Sequence, residues 1–246
     1  MQVGQHPPMA NSPLRRLVSE LPWTDVAGEL SARGHATTGP LLSPSVCREI
    51  SSWYEGEAHF RSRVVMERHA FGQGEYKYFG YPLPEAIEAL RQSLYVCLAP
   101  VANAWAKALG STVSYPDSLS AYLDRCHDAG QTRPTPLLLR YEADGYNCLH
   151  QDLYGELTFP LQATILLSEP GRDFEGGEFV LVEQRPRMQS RAEVVHLAQG
   201  EAVIFAVRDR PRRGTRGIHR AVLRHGVSRI RRGRRFALGI IFHDAR

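Results

Sequence analysis

The stretch CLHQDLYG, residues 148 to 155, places a histidine and an aspartate two positions apart, His150 and Asp152. In an extended segment, residues i and i+2 project to the same side. One imidazole nitrogen and one carboxylate oxygen can therefore grip a single ion. Four later histidines compete to be a third ligand: His196 in AEVVHLA, His219 in GIHRAVLR, His225 among arginines, and His243 near the C-terminus. His219 is preferred, because it follows a glycine turn and opens a strand that could pair beside His150. Two histidines and one carboxylate on one face leave three positions open on an octahedral metal. That set suits non-haem Fe(II), with room for a co-substrate and O₂ together.

The elements that must position these residues can be read from periodicity. Leu14, Leu17, Val18 and Leu21 repeat at helical spacing from Ser12 to about Arg33. Pro22 interrupts this helix, and Thr24 can cap a second one starting at Asp25. Another helix follows, capped by Ser43 or Ser45. RVVMERHAFGQGEYKYFGY reads as two strands joined by the turn Gly72 to Gly74. Residues 84 to 109 form a strong helix pattern with a possible kink at Pro100, and residues 117 to 129 form another helix. After Pro136 the character changes to short strand-like runs: LLLRY, LQATILLSE, GEFVLVEQ, AEVVHLA, EAVIFAV, IHRAVLR and RFALGIIFH, separated by glycine turns. Many short strands imply a sandwich or barrel. The expectation is one domain over 13–246 after a disordered leader, 1–12. A helical part, 13–133, would pack on a β core, 134–246, giving an α+β class.

Composition narrows the setting. No apolar run reaches the ~18 residues needed to span a bilayer, and the first residues lack the apolar core of a secretory signal. Cys47, Cys97, Cys126 and Cys148 form no CxxC pair, so buried thiols in a reducing, cytoplasmic compartment are expected. The net charge of +4 is unevenly spread. Residues 208 to 235 hold 12 arginines against one acid, Asp209, for +11, and the remainder carries −7. A concentrated basic region attracts anions, nucleic-acid phosphates above all. Gln162 and Thr164 are polar positions on one face of an apolar strand, and buried polar groups need partners; a bound co-substrate could supply them.

From about Leu137 to His243 the chain resembles the 2-oxoglutarate- and Fe(II)-dependent oxygenase superfamily, with a prolyl-hydroxylase-like core. LLLRYEADGYNCLHQD resembles the strand, turn and H-x-D of that group. FEGGEFVLVE resembles its Gly-Gly hairpin and QGEAVIF the strand before the distal histidine. GIHRAV is similar to the distal-histidine strand, and RRFALGIIF to the last core strand. The resemblance implies a double-stranded β-helix, or jelly roll. It implies His150, Asp152 and His219 as Fe(II) ligands and Arg235 as the partner of the distal carboxylate of 2-oxoglutarate. A guanidinium grips a carboxylate in two-pronged fashion and stays charged when partly buried. Arg229 and Arg234 are its rivals. Tyr141 matches a tyrosine that hydrogen-bonds the co-substrate, and a core aromatic is the alternative. The implied reaction hydroxylates a substrate C–H bond with O₂, converting 2-oxoglutarate to succinate and CO₂.

The substrate must be inferred separately. VRDRPRRGTRGIHR and LRHGVSRIRRGRR lead into the expected distal ligand and into Arg235, so both should flank one mouth. A cationic rim of Arg208, Arg212, Arg213, Arg216, Arg231 and Arg232 would suit alkylated DNA presenting one base, possibly single-stranded, as in AlkB-like repair. Phe71, Tyr76, Tyr78, Phe79 and Tyr81 could stack on that base, or cover the core. The whole chain also resembles a bacterial oxygenase family proposed to act on damaged nucleic acid, through GYNCLHQDLYG and the ending LGIIFHDAR. It departs from the AlkB arginine strand at Ala237 and Ile241. A prolyl-type protein hydroxylase and a non-enzymatic metal-binding β-sandwich module are the alternatives. A monomer without membrane attachment is expected.

Overall fold

A computed structural model describes residues 13–185, 188–215 and 217–246. The expected leader 1–12 and Arg216 lie outside the described residues. Two short helices, α1 (Pro13–Ser19) and α2 (Trp23–Arg33), lead into an edge strand, β1 (His35–Pro40). The break falls at Pro22, as its missing amide and fixed φ require, but Pro22 itself precedes α2 and Thr24 lies inside the helix. In α3 (Pro44–Ser52) the cap is Ser43, whose Oγ accepts the amide of Val46 at 3.4 Å.

The next segment is strand-rich: β2 (Phe60–Val65), β3 (Gly72–Gln73) and β4 (Glu75–Phe79). Then come α4 (Glu85–Ala108), which runs unbroken past Pro100, and α5 (Leu119–Asp128). The remaining strands are β5 (Leu137–Tyr141), β6 (Tyr146–His150), β7 (Leu161–Leu166), β8 (Phe174–Gly176), β9 (Phe179–Gln184), β10 (Arg191–Val195), β11 (Glu201–Ala206), β12 (Asp209–Gly214), β13 (Gly217–Val227), β14 (Ile230–Gly233) and β15 (Arg235–Ile240).

These strands form two main antiparallel sheets. The larger has the order β1-β11-β7-β15-β5-β4-β2, and the smaller β10-β9-β13-β6-β3, with β12 paired to β13. A small ribbon, β14-β8, stands apart from them. The sheets face each other across a shared core, where Phe179 of β9 and Phe205 of β11 pack with ring centroids 4.9 Å apart. This is the double-stranded β-helix that the resemblance implies. The region 13–133 is more than helical, however. Its β1 pairs with β11 and its β4 with β5, so the chain before residue 134 completes the larger sheet. Unpaired strand edges expose orphan backbone groups, and these early strands cover them.

Strand β7 is buried on both faces, all six residues of it. Leu161, Ala163 and Ile165 belong to the core, while Gln162 and Thr164 line an interior cavity. The core outside the cavity includes α4, whose Tyr95 packs on Phe159 at 4.9 Å and Phe242 at 6.1 Å. Among the described residues no helix is long and apolar enough to cross a membrane.

The chain end is locked to α4 by a buried ion pair. Arg91 and Asp244 have fully buried side chains 2.7 Å apart. Arg91 Nε also donates to the Ile241 carbonyl, and the Tyr81 hydroxyl donates to Asp244. Removing one member of such a pair leaves an uncompensated charge in a low dielectric. Asp244→Ala should therefore lower the unfolding free energy by ~3–5 kcal/mol in urea titrations. Removing the exposed Arg16–Glu20 pair, a helical i,i+4 contact, should change it by less than ~0.5 kcal/mol.

Candidate metal centre

β6 and β13 bring the ligands together. In their antiparallel register His225 lies opposite His150, and Val227 lies opposite Asn147. Two steps on β13 thus oppose three on β6, so β6 carries a bulge. The bulge breaks the two-residue alternation, and both Asn147 and His150 line the cavity. Gly226 permits this close approach, since a Cβ there would lie 2.6 Å from the Asn147 carbonyl oxygen.

His150, Asp152 and His225 each present one ligand atom, and these atoms all lie within 4.8 Å of one another. His150 Nε2 is 3.5 Å from one Asp152 oxygen, and His225 Nε2 is 3.4 Å from the other. The imidazole centroids are 4.2 Å apart. His150 Nδ1 lies 2.7 Å from the Cys148 carbonyl, so it donates there and leaves the Nε2 lone pair for a metal. Asp152 is held on both oxygens: Tyr154 Oη donates to one at 2.7 Å and Gln162 Nε2 to the other at 2.8 Å.

The electrostatics suit a cation. Burial alone would raise the Asp152 pKa, but the hydrogen bonds and charges of the two histidines hold it well below the usual carboxylate range. Burial, then the neighbouring His150, lower the His225 pKa and favour the neutral imidazole that a metal needs. For His150, burial works downward, but Asp152 outweighs it and the pKa is raised.

The expected third ligand needs correction. His219 stands near the hairpin turn between β12 and β13, opposite Arg212, six positions before His225 on the same strand. At ~3.3 Å per residue it is about 20 Å along the strand from the His225 position. It shares the face of His225 but cannot reach Asp152. His225 was legible in AVLRHGV, where Ala221, Leu223, His225 and Val227 alternate with Arg224. A histidine on the apolar face of a strand is buried, and it then needs a partner. His196 is exposed at the end of β10, and His243, fully buried, accepts the Phe159 amide at 3.2 Å.

Beside the triad lies a cavity of about 290 Å³. Arg235, Tyr141, Gln162 and Thr164 all line it. Arg235 is 2% exposed, its Nε has no hydrogen-bond partner, and among the described residues it pairs with no carboxylate. Its guanidinium lies 5.7 Å from the Tyr141 ring and 5.8 Å from the Phe174 ring. Arg234 and Arg229 instead point outward, to Glu142 at 2.7 Å and Asp144 at 3.0 Å. Tyr141 is fully buried, and its hydroxyl accepts from Asn147 at 3.3 Å. Burial pushes its phenol up to about 12, so it keeps a proton to donate. The Gln162 Oε1 atom is also without a partner. A buried guanidinium lacking a counter-ion, beside an unpartnered amide oxygen, two hydroxyls and a metal-ligating triad, fits a carboxylate co-substrate bound at a metal.

The expected substrate contacts divide. Tyr76 lines the cavity, as does Phe71, which is 47% exposed. Tyr78 is buried behind Tyr76, with ring centroids 5.3 Å apart. Phe79 is fully buried against Phe60 and cannot receive a base, and Tyr81, whose hydroxyl donates to Asp244, does not line the cavity. Among the described residues, none of the expected rim arginines lines the cavity. Arg212 joins Arg210 on Glu183, Arg232 pairs with Glu175 at 2.8 Å, and Arg208 lies 3.8 Å from Asp209. Arg213 is exposed on the β12–β13 hairpin, and Arg231 faces a neighbouring cleft. The β12–β13 hairpin diverges from the mouth because β13 is long and carries it away from the triad, while Arg231 and Arg232 lie on β14.

A metal-binding triad and an unpaired buried arginine inside a double-stranded β-helix define an oxygenase of the 2-oxoglutarate- and Fe(II)-dependent class. The chain belongs to the Oxygenase-NA family, described as an oxygenase catalysing oxidative methylation of damaged DNA, whose model matches residues 74–245. Two Mycobacterium tuberculosis relatives, the uncharacterized proteins Rv2227 and MT2286, are each 54% identical over 167 residues, covering 68% of this chain and 72% of theirs. A Pseudomonas putida prolyl-4-hydroxylase structure is similar with a TM-score of 0.51 and 14% identity, over 91% of this chain and 99% of that one. A Trichoplax adhaerens prolyl hydroxylase, solved with a peptide fragment of the oxygen degradation domain of hypoxia inducible factor, is similar with a TM-score of 0.53 and 13% identity, over 96% and 94% of the two chains. At that identity these structures share the fold.

The triad assignment is testable by calorimetry with Mn(II). His225→Ala should weaken metal binding by more than the roughly 10–100-fold typical of losing an outer partner, and His219→Ala should leave it unchanged. Protons compete with the metal for His150, whose pKa is raised. Affinity should therefore fall as the pH is lowered from about 8 to about 6, and a flat profile would contradict His150 as a ligand.

Proposed function

We propose that this oxygenase oxidatively removes alkyl groups from damaged DNA bases, using Fe(II) and 2-oxoglutarate. The observation that carries the chemistry is Arg235, buried and without an anionic partner at the floor of a cavity whose other wall is His150, Asp152 and His225. Fe(II) with 2-oxoglutarate and O₂ supplies the oxidation of a C–H bond, and the oxo acid leaves as succinate and CO₂.

The chain's own residues bind and orient. His150, Asp152 and His225 would hold the metal on one face, leaving the opposite face open. Arg235 anchors the far carboxylate of the co-substrate in two-pronged fashion; Tyr141, opposite it in register, offers a hydroxyl donor beside it, and Thr164 offers a second hydroxyl further along the cavity. Tyr154 and Gln162 fix the plane of the Asp152 carboxylate. Phe179 and the apolar side chains Leu137, Leu139, Val227 and Ile241 exclude water. Phe71 and Tyr76 give the entrance two aromatic faces, suited to a base taken out of its stack. The family description supports damaged DNA as the substrate class.

The test is anaerobic loading with Fe(II), then O₂, 2-oxoglutarate and methylated single-stranded DNA. Succinate and formaldehyde should appear together and rise with the methylated DNA. His225→Ala should lower both by on the order of 100-fold or more, as expected when a metal-dependent barrier reduction is lost. Succinate that responds instead to a proline-containing peptide would transfer the substrate to protein, and no succinate under any condition would remove the oxygenase reading.

A further inference from the structure

A second cleft, of about 340 Å³, lies on the other side of Arg235. It is bounded by the ends of β7, β9 and β10 and by the β8–β14 ribbon, through Leu166, Phe174, Leu197 and Arg231 among others. It shares two side chains with the triad cavity, Phe179 and Arg235. One buried guanidinium thus forms part of the wall of both spaces, and its Nε is without a partner.

The charges along this cleft favour an anion. Arg231 is exposed at its edge and pairs with no carboxylate among the described residues. Two acids also line it. Glu175 is paired with Arg232 at 2.8 Å, while Glu178 accepts the hydroxyl of Ser228 and keeps its charge, so Arg231 and Arg235 leave the cleft one positive charge in excess. An entering anion therefore meets Arg231 first and Arg235 second.

Resting on the function proposed above, we infer that this rear cleft is the path by which the dicarboxylate co-substrate is loaded and its shorter dicarboxylate product leaves. The triad cavity, at about 290 Å³, must hold the co-substrate and the reacting group together. A macromolecule seated on Phe71 and Leu153 closes that front entrance. Exchange past Arg235 and Phe179 lets one dicarboxylate replace another while the front stays covered. The step at Arg235 is a relay of one anion by two cations, with no bond made or broken.

The experiment is stopped-flow binding of 2-oxoglutarate to the Fe(II)-loaded protein without O₂, followed by the visible band of the iron–oxo-acid chelate, with equilibrium affinity measured in parallel. Arg231→Glu reverses the charge at the cleft edge and should slow association about tenfold, an effect that shrinks with added salt. His196→Trp, an exposed position on the cleft, should slow association and dissociation together and leave the equilibrium affinity within about twofold. Leu153→Trp, at the front, should slow both rates less than the rear variants do. Wild-type rates in both rear variants, or slowing by the front variant alone, would overturn the rear path and leave the oxygenase reading intact. Absence of 2-oxoglutarate binding by the wild type would overturn both.

Discussion

The structure turns on one carboxylate. Asp152 lies against His150, His225, Tyr154 and Gln162, which come from two sheets and the loop after β6. A buried carboxylate is stable only when hydrogen-bonded and opposed by positive charge. Here the hydrogen bonds come from Tyr154 and Gln162, while the two imidazoles are shaped to share the charge with a cation. The fold serves this meeting point. The β6 bulge turns His150 inward, Gly226 lets β13 approach it, and the polar Gln162 sits in the most deeply buried strand of the larger sheet.

The same reasoning distinguishes Arg235 from the eleven other arginines between 208 and 235. Most of the described ones meet acids: Glu183 takes Arg210 and Arg212, Asp209 lies near Arg208 and Arg220, and Asp144, Glu175 and Glu142 take Arg229, Arg232 and Arg234. A strongly cationic stretch of sequence therefore produces a much weaker local field in the fold. The acids that neutralise it lie mostly far away in sequence, on β9, β8 and the turn after β5. Charge counted along a chain does not see them. Arg235 alone among these is buried without such a partner, and a group in that state is matched to something that arrives.

Much of this was legible in the residues. Period-2 alternation and glycine turns marked the strands after Pro136, and the H-x-D pair marked the centre, because local geometry decides both. Gln162 and Thr164 stood out as polar residues on an apolar strand, and the cavity is where they lie. The resemblance singled out Arg235, and strand alternation sends its neighbour Arg234 to the opposite face, where it meets Glu142. What failed was non-local. His219 and His225 share a face of β13 about 20 Å apart along the strand, and only the cross-strand register with β6 shows which of them lies opposite His150. Phe79 looked like one more aromatic in a stacking stretch, but its neighbours Phe60 and Trp53 bury it on the opposite face from Tyr76 and Tyr78.

The triad and the arginine also constrain each other's positions. β15 pairs with β7 on one side and β5 on the other, so Arg235 lies directly opposite Tyr141, while Thr164 lies opposite Gly239, four residues further along β15. β13 belongs to the opposite sheet, and the space between His225 and Arg235 is the gap between two packed sheets, ~10 Å wide. A ligand that reaches from one to the other must be short, and polar at both ends. One end must tolerate a metal and the other a guanidinium. Those requirements describe a small oxo-dicarboxylate better than a monoacid or a phosphate ester. They arise from sheet spacing and strand register, which is why the co-substrate is more firmly indicated by this fold than the molecule it oxidises.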